Sequence, residues 1–250
     1  KRKEKKREGG EGGGDGKGEE AEGRGKGFLM GATAGRTTLA GEGLQHQDGH
    51  SHLLALPVPN LCAYDVTYAY ELAVIIREGI RRMYVEGEDV FYYITLANEN
   101  YVHGPMPDGA RDHILKGMYL FQAAADDQAK ARVQLLGSGT ILNESTQAAA
   151  ILAEKYGVAA DVWAVTSYKQ RHQDALDVER WNTLHPDKTA RVAHVSKCLA
   201  ERPGPVIAAS DYMKVLPDSI ARWIPGPMVS LGTDGFGRSD GREALRTFFE

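Results

Sequence analysis

The glycine-rich segment 35–52 contains the side chains best suited to chemistry. Glu42 and His46 lie four residues apart, with Gly43 between them. Glycine obstructs the approach of other groups little, so the acid, the imidazole and a substrate can come together. A carboxylate near an imidazole raises the pKa of that imidazole, which then exchanges protons near neutral pH. The pattern indicates a candidate acid–base site, and a hydrogen-bonded structural loop is the alternative.

Two further histidines, His50 and His52, flank Ser51 in the same segment. A zinc site would need additional Cys or carboxylate ligands in a fixed arrangement, and none is evident near this pair. Cys62 and Cys198 lie far apart, and we find no partner for either at metal-ligand spacing. We therefore predict no metal ligands and interpret both cysteines as buried small hydrophobes in a reducing compartment.

The tripeptide Gly137-Ser138-Gly139 follows a predicted strand and opens a predicted helix, where a dinucleotide fingerprint would lie. Leu142 occupies the position of the third glycine, and no acidic residue closes the next strand near position 166. The tripeptide is therefore interpreted as a tight turn that allows close packing.

Charge and composition divide the chain into two parts. Residues 1–27 hold nine Lys/Arg, seven Asp/Glu, ten Gly and one apolar residue, which is typical of a disordered low-complexity tail. Residues 28–250 hold 21 basic and 27 acidic side chains, a net charge of −6. A surface of that sign repels phosphate backbones, so nucleic acid is not expected as a partner. No apolar run of membrane-spanning length and no signal peptide is evident, so we expect a cytoplasmic protein without membrane contact.

In the first half, the apolar spacing predicts a helix from Asp65 to Tyr84 with Asp65 or Thr67 as its cap. The segment 90–96 is β-branched and aromatic almost throughout, which indicates a strand buried on both faces. Apolar residues of the helix extend beyond a single stripe, which predicts a contact with a second subunit.

In the second half, strand and helix signals alternate. Strands are predicted at 133–136, 161–166, 205–209 and 228–231, and helices at 145–156, 191–201, 218–223 and 240–249. This alternation favours an α/β fold with a mainly parallel sheet. We expect four regions: the tail 1–27, a first domain 28–110, a linker 111–131 and a second domain 132–250.

Three segments carry a family resemblance: 35–52, 92–101 (Tyr-Tyr-Ile-Thr-Leu-Ala-Asn-Glu-Asn-Tyr) and 231–240 (Leu-Gly-Thr-Asp-Gly-Phe-Gly-Arg-Ser-Asp). They closely resemble the homodimeric, bacterial-type pyruvate dehydrogenase, the pyruvate-decarboxylating component of the pyruvate dehydrogenase complex. The likeness runs from about Phe28 to Glu250.

The resemblance implies a parallel-sheet, transketolase-like thiamine diphosphate-binding fold, present in part, and a transketolase C-terminal-like domain. Residues 28–110 would be the C-terminal part of the pyrimidine-binding domain, and residues 132–250 most of the C-terminal domain. The family also has a domain that binds diphosphate and magnesium, and an upstream glutamate that activates the aminopyrimidine. We expect neither to be encoded in this chain.

The activity implied by the resemblance is oxidative decarboxylation of pyruvate with reductive acetylation of a lipoyl group on dihydrolipoyl acetyltransferase. Glu42 and His46 match the family's acidic residue and its substrate-facing histidine. Thiamine diphosphate and Mg²⁺ are the implied cofactors, and their main binding residues are expected outside this chain, which alone would be inactive. The alternative is a noncatalytic fragment that acts only in subunit association. Transketolase itself fits less well, because it lacks the run 46–52.

Overall fold

The computed structural model describes residues 25–31, 48–97, 100–125, 129, 131–238 and 240–249. Most of the predicted tail lies outside these described residues, and so do both candidate catalytic residues, Glu42 and His46. The described part contains two sheets.

The first sheet has three parallel strands in the order β1-β3-β2: β1 (Phe28–Gly31), β2 (Leu61–Asp65) and β3 (Phe91–Thr95). Strand β3 is central, and its Tyr92 is in register with Phe28 on one side and Cys62 on the other. The side chains of β3 are largely buried on both faces. This confirms the strand predicted over residues 90–96.

Two helices pack with this sheet. Helix α1 is Ser51–Ala55, and helix α2 is Ala69–Ile80, which continues into a π-helical turn over Arg81–Val85. The predicted helix start at Asp65 is wrong, because Asp65 is the last residue of β2.

The N-terminus of α2 is capped from inside the helix. One carboxylate oxygen of Glu71, Oε2, accepts the backbone N–H groups of Thr67 at 2.6 Å and Tyr68 at 3.1 Å. Tyr68 is the N-cap residue and Thr67 precedes it, so the Glu71 side chain reaches back to the backbone just before the helix, as in a capping box. Glu71 is therefore the side chain that caps α2, whereas the sequence analysis predicted Asp65 or Thr67 as the cap.

The second sheet has five strands in the order β4-β6-β5-β7-β8. They are β4 (Tyr119–Gln122), β5 (Ala131–Gly137), β6 (Val158–Ala164), β7 (Val206–Ala209) and β8 (Met228–Leu231). Only β4 is antiparallel to its neighbour among these strands. The prediction of a mainly parallel α/β fold is confirmed.

The segment expected to be a linker, 111–131, has regular structure. It contains most of helix α3 (Ala110–Leu115) and all of β4. Ile114, Met118 and Tyr119 are buried, so this connection forms part of the core. Their spacing is too irregular to give a helix or strand period, which is why the sequence indicated a linker.

The remaining helices of the second half are α4 (Ile141–Tyr156), α5 (Tyr168–Leu184), α6 (His194–Leu199), α7 (Val215–Asp218) and α8 (Arg242–Phe249). Helix α4 ends at Gly157, whose φ of +63° suits a residue without a side chain, as predicted. Helix α5 was not predicted, because its composition is strongly polar. None of the described helices is long and apolar enough to span a membrane.

The two halves share backbone hydrogen bonds and a core. The N–H of Asp65 in β2 donates to the carbonyl of Thr166 at 2.8 Å, and the Ser167 hydroxyl donates to the carbonyl of Ala63 at 2.5 Å. One continuous cluster of buried apolar residues includes Ile94 from the first sheet and Val162 from the second. The carboxyl end of β2 is therefore fixed against the second domain.

Lys169, near the start of α5, holds the turn that follows α1. Its ammonium group donates to the carbonyls of Ala55 at 2.8 Å, Leu56 at 2.9 Å and Val58 at 2.6 Å. Burial lowers the pKa of Lys169 to about 8. The three carbonyls stabilise the buried charge and thereby join α5 to α1.

We predict that Lys169→Met lowers the free energy of unfolding by about 2 kcal/mol, because three backbone carbonyls, one buried and two partly buried, lose a charged donor. Urea denaturation at pH 7 measures the difference. Lys188→Met is the matched control, since the Lys188 side chain is 61% exposed, and its effect should stay within about 0.5 kcal/mol. Equal effects of the two substitutions would contradict the anchoring role of Lys169.

Candidate functional site

The structure describes the C-terminal end of the segment in which Glu42 and His46 lie. The Asp48 carboxylate accepts the backbone N–H groups of His50 at 3.0 Å and Ser51 at 2.9 Å, and it also accepts the Ser51 hydroxyl. A short polar side chain that accepts backbone N–H groups two or three residues later in the chain fixes the backbone at the start of a helix. The chain therefore enters α1 in a defined conformation.

His52, on α1, is buried and joins a chain of side-chain hydrogen bonds. Its Nε2 lies 2.9 Å from the hydroxyl oxygen of Thr95, and that hydroxyl donates to Oδ1 of Asp65 at 2.6 Å. Because the Thr95 proton goes to the carboxylate, we assign the His52 tautomer with the proton on Nε2. The chain connects α1, β3 and β2, and the sequence reasoning did not find it.

His50 and His52 do not converge. The side chain of His50 is exposed, whereas His52 contacts the ring of Tyr212 edge-on with the centroids 4.9 Å apart. Among the described residues, no group with the spacing of metal ligands includes either histidine. Although His50 and His52 are close in the sequence, His50 is exposed and His52 is a buried structural residue.

A narrow cleft opens where strands of both sheets end. Its lining comes from both domains and consists of Asp65, Val66, Leu96, Ala97, Ser138, Thr140, Asp211 and Tyr212. Carboxyl ends of parallel strands are the usual position of ligand sites in such sheets.

The carboxyl group of Asp65, which lines the cleft, is a weaker acid than usual. Burial raises the pKa of Asp65 to about 7, against the opposing effect of hydrogen bonds from Thr95 and Ser138, and the nearby Asp211 raises it further. Asp65 is therefore partly protonated near neutral pH. The sequence could not indicate this, because the environment of Asp65 is built by residues 30 to 150 positions away.

The hydroxyl of Tyr212 lies in the same region. It is buried near Thr95, yet it has no hydrogen bond of ordinary geometry to any described residue. Burial raises the pKa of Tyr212 well above its usual value, so the phenol stays protonated. A buried hydroxyl without a partner costs free energy unless a water or another polar group satisfies it.

The turn 137–139 is a packing turn, as predicted. Gly139 has a φ of +52°, and a Cβ at this residue would lie 2.6 Å from Oδ2 of Asp65. A Cβ on Gly137 would lie 2.7 Å from Cα of Leu142. Gly139 is therefore required for the close contact with the end of β2, and Gly137 for the close approach of α4 to β5.

The lining of the cleft contains no cationic side chain that would bind a diphosphate. Two carboxyl groups, from Asp65 and Asp211, line it, and negative charge at close range repels a phosphate. The described lining residues therefore provide no cradle for such an anion at this position.

We predict that Asp65→Asn changes the pH dependence of stability. The pKa of Asp65 is about 7 in the folded chain against its ordinary value of 3.8, so between these values the folded state binds a proton that the unfolded state has released. Its contribution to the free energy of unfolding is present below pH 4 and is lost as the pH rises to about 7.

Urea denaturation from pH 4.5 to 8 tests this prediction. The slope of the wild-type chain should be more negative than that of Asp65→Asn, by up to about 1.4 kcal/mol per pH unit within the window. Asp187→Asn is the control, because the Asp187 side chain is 70% exposed. Parallel profiles for wild type and Asp65→Asn would show that Asp65 titrates normally.

Solved structures with low sequence identity share the fold. Transketolase from Campylobacter jejuni superposes with a TM-score of 0.61 at 15% identity, covering 89% of this chain and 29% of that chain. A structure described as a split gene transketolase, inactive beta4 tetramer, superposes with a TM-score of 0.56 at 16% identity, covering 89% of this chain and 61% of that chain. The likeness confirms the transketolase-like fold.

Curated proteins with the name pyruvate dehydrogenase E1 component are much more similar in sequence. The Pseudomonas aeruginosa protein is 58% identical over 225 residues, and the Escherichia coli K12 protein 50% over 227 residues. Each alignment covers 90% of this chain and 25% of the relative. The chain thus spans about a quarter of the length of the curated relatives that it matches.

Two family models cover most of the chain. The pyruvate dehydrogenase E1 component middle domain matches residues 13–104, and the transketolase-like C-terminal domain matches residues 117–250. The first match includes Glu42 and His46 and begins within the predicted tail. The boundary between the two matches lies close to α3, earlier than the expected linker. The transketolase-like C-terminal model matches more than half of the residues, so the chain belongs to that domain family, and residues 13–104 match the middle domain of the pyruvate dehydrogenase E1 component.

Proposed function

We propose that this chain contributes to a pyruvate dehydrogenase that decarboxylates pyruvate oxidatively and acetylates a lipoyl group reductively. The observation that carries the proposal is the 58% identity over 225 residues to a protein with the name pyruvate dehydrogenase E1 component. Because the chain spans a quarter of that relative, the activity is proposed for the complete protein of which this sequence is part.

Glu42 and His46 are the proposed catalytic residues. Nucleophilic addition to the keto carbon of pyruvate would place negative charge on the oxygen of that carbon, next to the carboxylate that afterwards leaves as carbon dioxide. The His46 imidazole would hold the carboxylate and donate a proton to that oxygen, and Glu42 would orient the imidazole and raise its pKa. A positioned acid of this kind accelerates a reaction by about 10²–10⁴.

Contacts just beyond His46 support this role. Only Gln47 separates His46 from Asp48, whose carboxylate fixes the start of α1. The Gly49 carbonyl accepts the backbone N–H of Met213 at 3.2 Å, so the end of the segment is joined to the second domain. A catalytic side chain requires such support, because small displacements lower the rate strongly.

Thiamine diphosphate and Mg²⁺ are proposed as cofactors of the complete protein. The acidic cleft does not fit the diphosphate, so we propose that residues outside the described part hold the cofactor. A lipoylated dihydrolipoyl acetyltransferase and a second copy of the protein are the proposed partners. We also propose that the complete protein is cytoplasmic.

The catalytic role is tested in a chimera in which this chain replaces the matching quarter of the Pseudomonas aeruginosa relative. The chimera should release carbon dioxide from pyruvate and acetylate an isolated lipoyl domain. His46→Ala should lower kcat at least about tenfold, because a positioned proton donor is lost, while the Kd for thiamine diphosphate stays within about twofold.

His50→Ala is the control for this experiment, since the His50 side chain is exposed on the same segment. Its kcat should stay within about twofold of the unsubstituted chimera. Equal losses in the two variants, or a weaker Kd for thiamine diphosphate in His46→Ala, would assign a structural role to His46. A folded chimera without any pyruvate-dependent activity would contradict the proposed function as a whole.

A second candidate function is subunit association without catalysis. The split gene transketolase described as an inactive tetramer favours it, because this chain covers 61% of that protein. Exposed apolar side chains cluster beyond the end of α2, where Tyr84 is 61% and Val85 77% exposed. A partner subunit that covers both side chains would remove their apolar surface from water.

We predict that the 250-residue chain alone associates and does not bind thiamine diphosphate. Replacing both Tyr84 and Val85 by Lys should weaken association at least tenfold in sedimentation equilibrium, because two charges enter an apolar contact. Tyr156→Lys, at the exposed end of α4, is the control and should leave association unchanged. A monomer at high concentration, or calorimetric binding of thiamine diphosphate with Mg²⁺, would contradict this candidate.

A further inference from the structure

A group of three metal-ligand side chains lies far from the cleft in sequence and shares no residue with it. His113 is on α3, and His194 and Cys198 are on α6. The ligand atoms of all three lie within 4.8 Å of one another, and Nδ1 of His113 lies 3.3 Å from Nε2 of His194. The spacing of four residues places His194 and Cys198 on one face of α6.

The distance between the two nitrogens fits a tetrahedral metal ion. Two ligands at a Zn–N distance of about 2.0–2.1 Å, with a tetrahedral angle between them, lie about 3.3 Å apart. A sulfur at the usual Zn–S distance of about 2.3 Å would lie about 3.6 Å from each nitrogen by the same geometry. The Cys198 sulfur therefore needs a shift of at most about 1 Å to complete a set of three ligands.

The group is accessible to a cation from solvent. His113 is exposed, whereas His194 and Cys198 are half-buried. Burial raises the pKa of the Cys198 thiol, so a metal ion that binds this sulfur displaces its proton. The Asp174 carboxylate accepts the backbone N–H of His194 at 2.7 Å, which fixes the start of α6.

We propose that His113, His194 and Cys198 bind a zinc ion that joins α3 to α6. Two imidazoles and one thiolate form a ligand set that zinc prefers, with a water in the fourth position. In the structure the two imidazoles contact each other, and His194 Nε2 lies 3.4 Å from the carbonyl of Met118. This corrects the expectation that Cys198 has no partner at metal-ligand spacing.

The two helices belong to different parts of the core, which gives the ion a structural role. Ile114 of α3 is buried in the cluster that includes the first sheet, and Val195 of α6 in the cluster beneath the second sheet. A metal bridge between two such elements stabilises the folded state, because the unfolded chain does not hold the three ligands together.

Titration of the full, reduced 250-residue chain with ZnCl₂ and with CoCl₂ tests the proposal. We expect one zinc ion per chain by calorimetry, a higher Tm with zinc, and thiolate-to-cobalt charge-transfer absorption in the near ultraviolet. His113→Ala and Cys198→Ala should each weaken zinc binding at least tenfold, and Cys198→Ala should abolish the charge-transfer band.

Two matched variants serve as controls. Cys62→Ala removes the other cysteine, and His185→Ala removes a histidine that stacks on Trp181 outside the group. Both should keep the wild-type affinity for zinc. The absence of binding, the same affinity in Cys198→Ala as in wild type, or a band that depends on Cys62 would overturn the proposal. Circular dichroism confirms that each variant is folded, so that a loss of binding reports the ligand.

Discussion

The carboxylate of Asp65 is the group on which the junction of the two domains depends. It ends β2, its backbone N–H bonds to Thr166, and the second domain approaches it so closely that only glycine fits at position 139. Burial at this junction raises the pKa of Asp65 to about 7, so the contact has an electrostatic cost. Hydrogen bonds from Thr95 and Ser138 reduce that cost.

From Asp65, buried polar contacts extend to α1, the helix that follows the candidate catalytic segment. Thr95 links the carboxylate to His52 on α1, and Lys169 holds the turn behind that helix. The segment containing Glu42 and His46 therefore ends on a helix that is fixed by buried polar contacts from both domains. Buried networks of this kind, when fully bonded, define one arrangement of the backbone. The proposed role of His46 requires such support.

Two polar clusters in the described part of the chain differ in whether their hydrogen-bonding groups satisfy one another. His52, Thr95 and Asp65 satisfy one another, and the cleft beside them is lined by two carboxyl groups and by no cationic side chain. His113 and His194, in contrast, contact each other near an available thiol. The first cluster stabilises the fold, whereas the second has the composition and spacing to bind an ion.

The sequence by itself determined the family, through the motifs at 35–52, 92–101 and 231–240, and those elements whose signal is local. Strand β3 is apolar on both faces, and Gly157 ends α4 by its own conformational preference. Tertiary structure alone decided that Asp65 lies in a strand, that the polar helix α5 buries Lys169, and that His113 approaches Cys198. Each of these depends on partners far away in the chain, and no local period or spacing encodes such contacts.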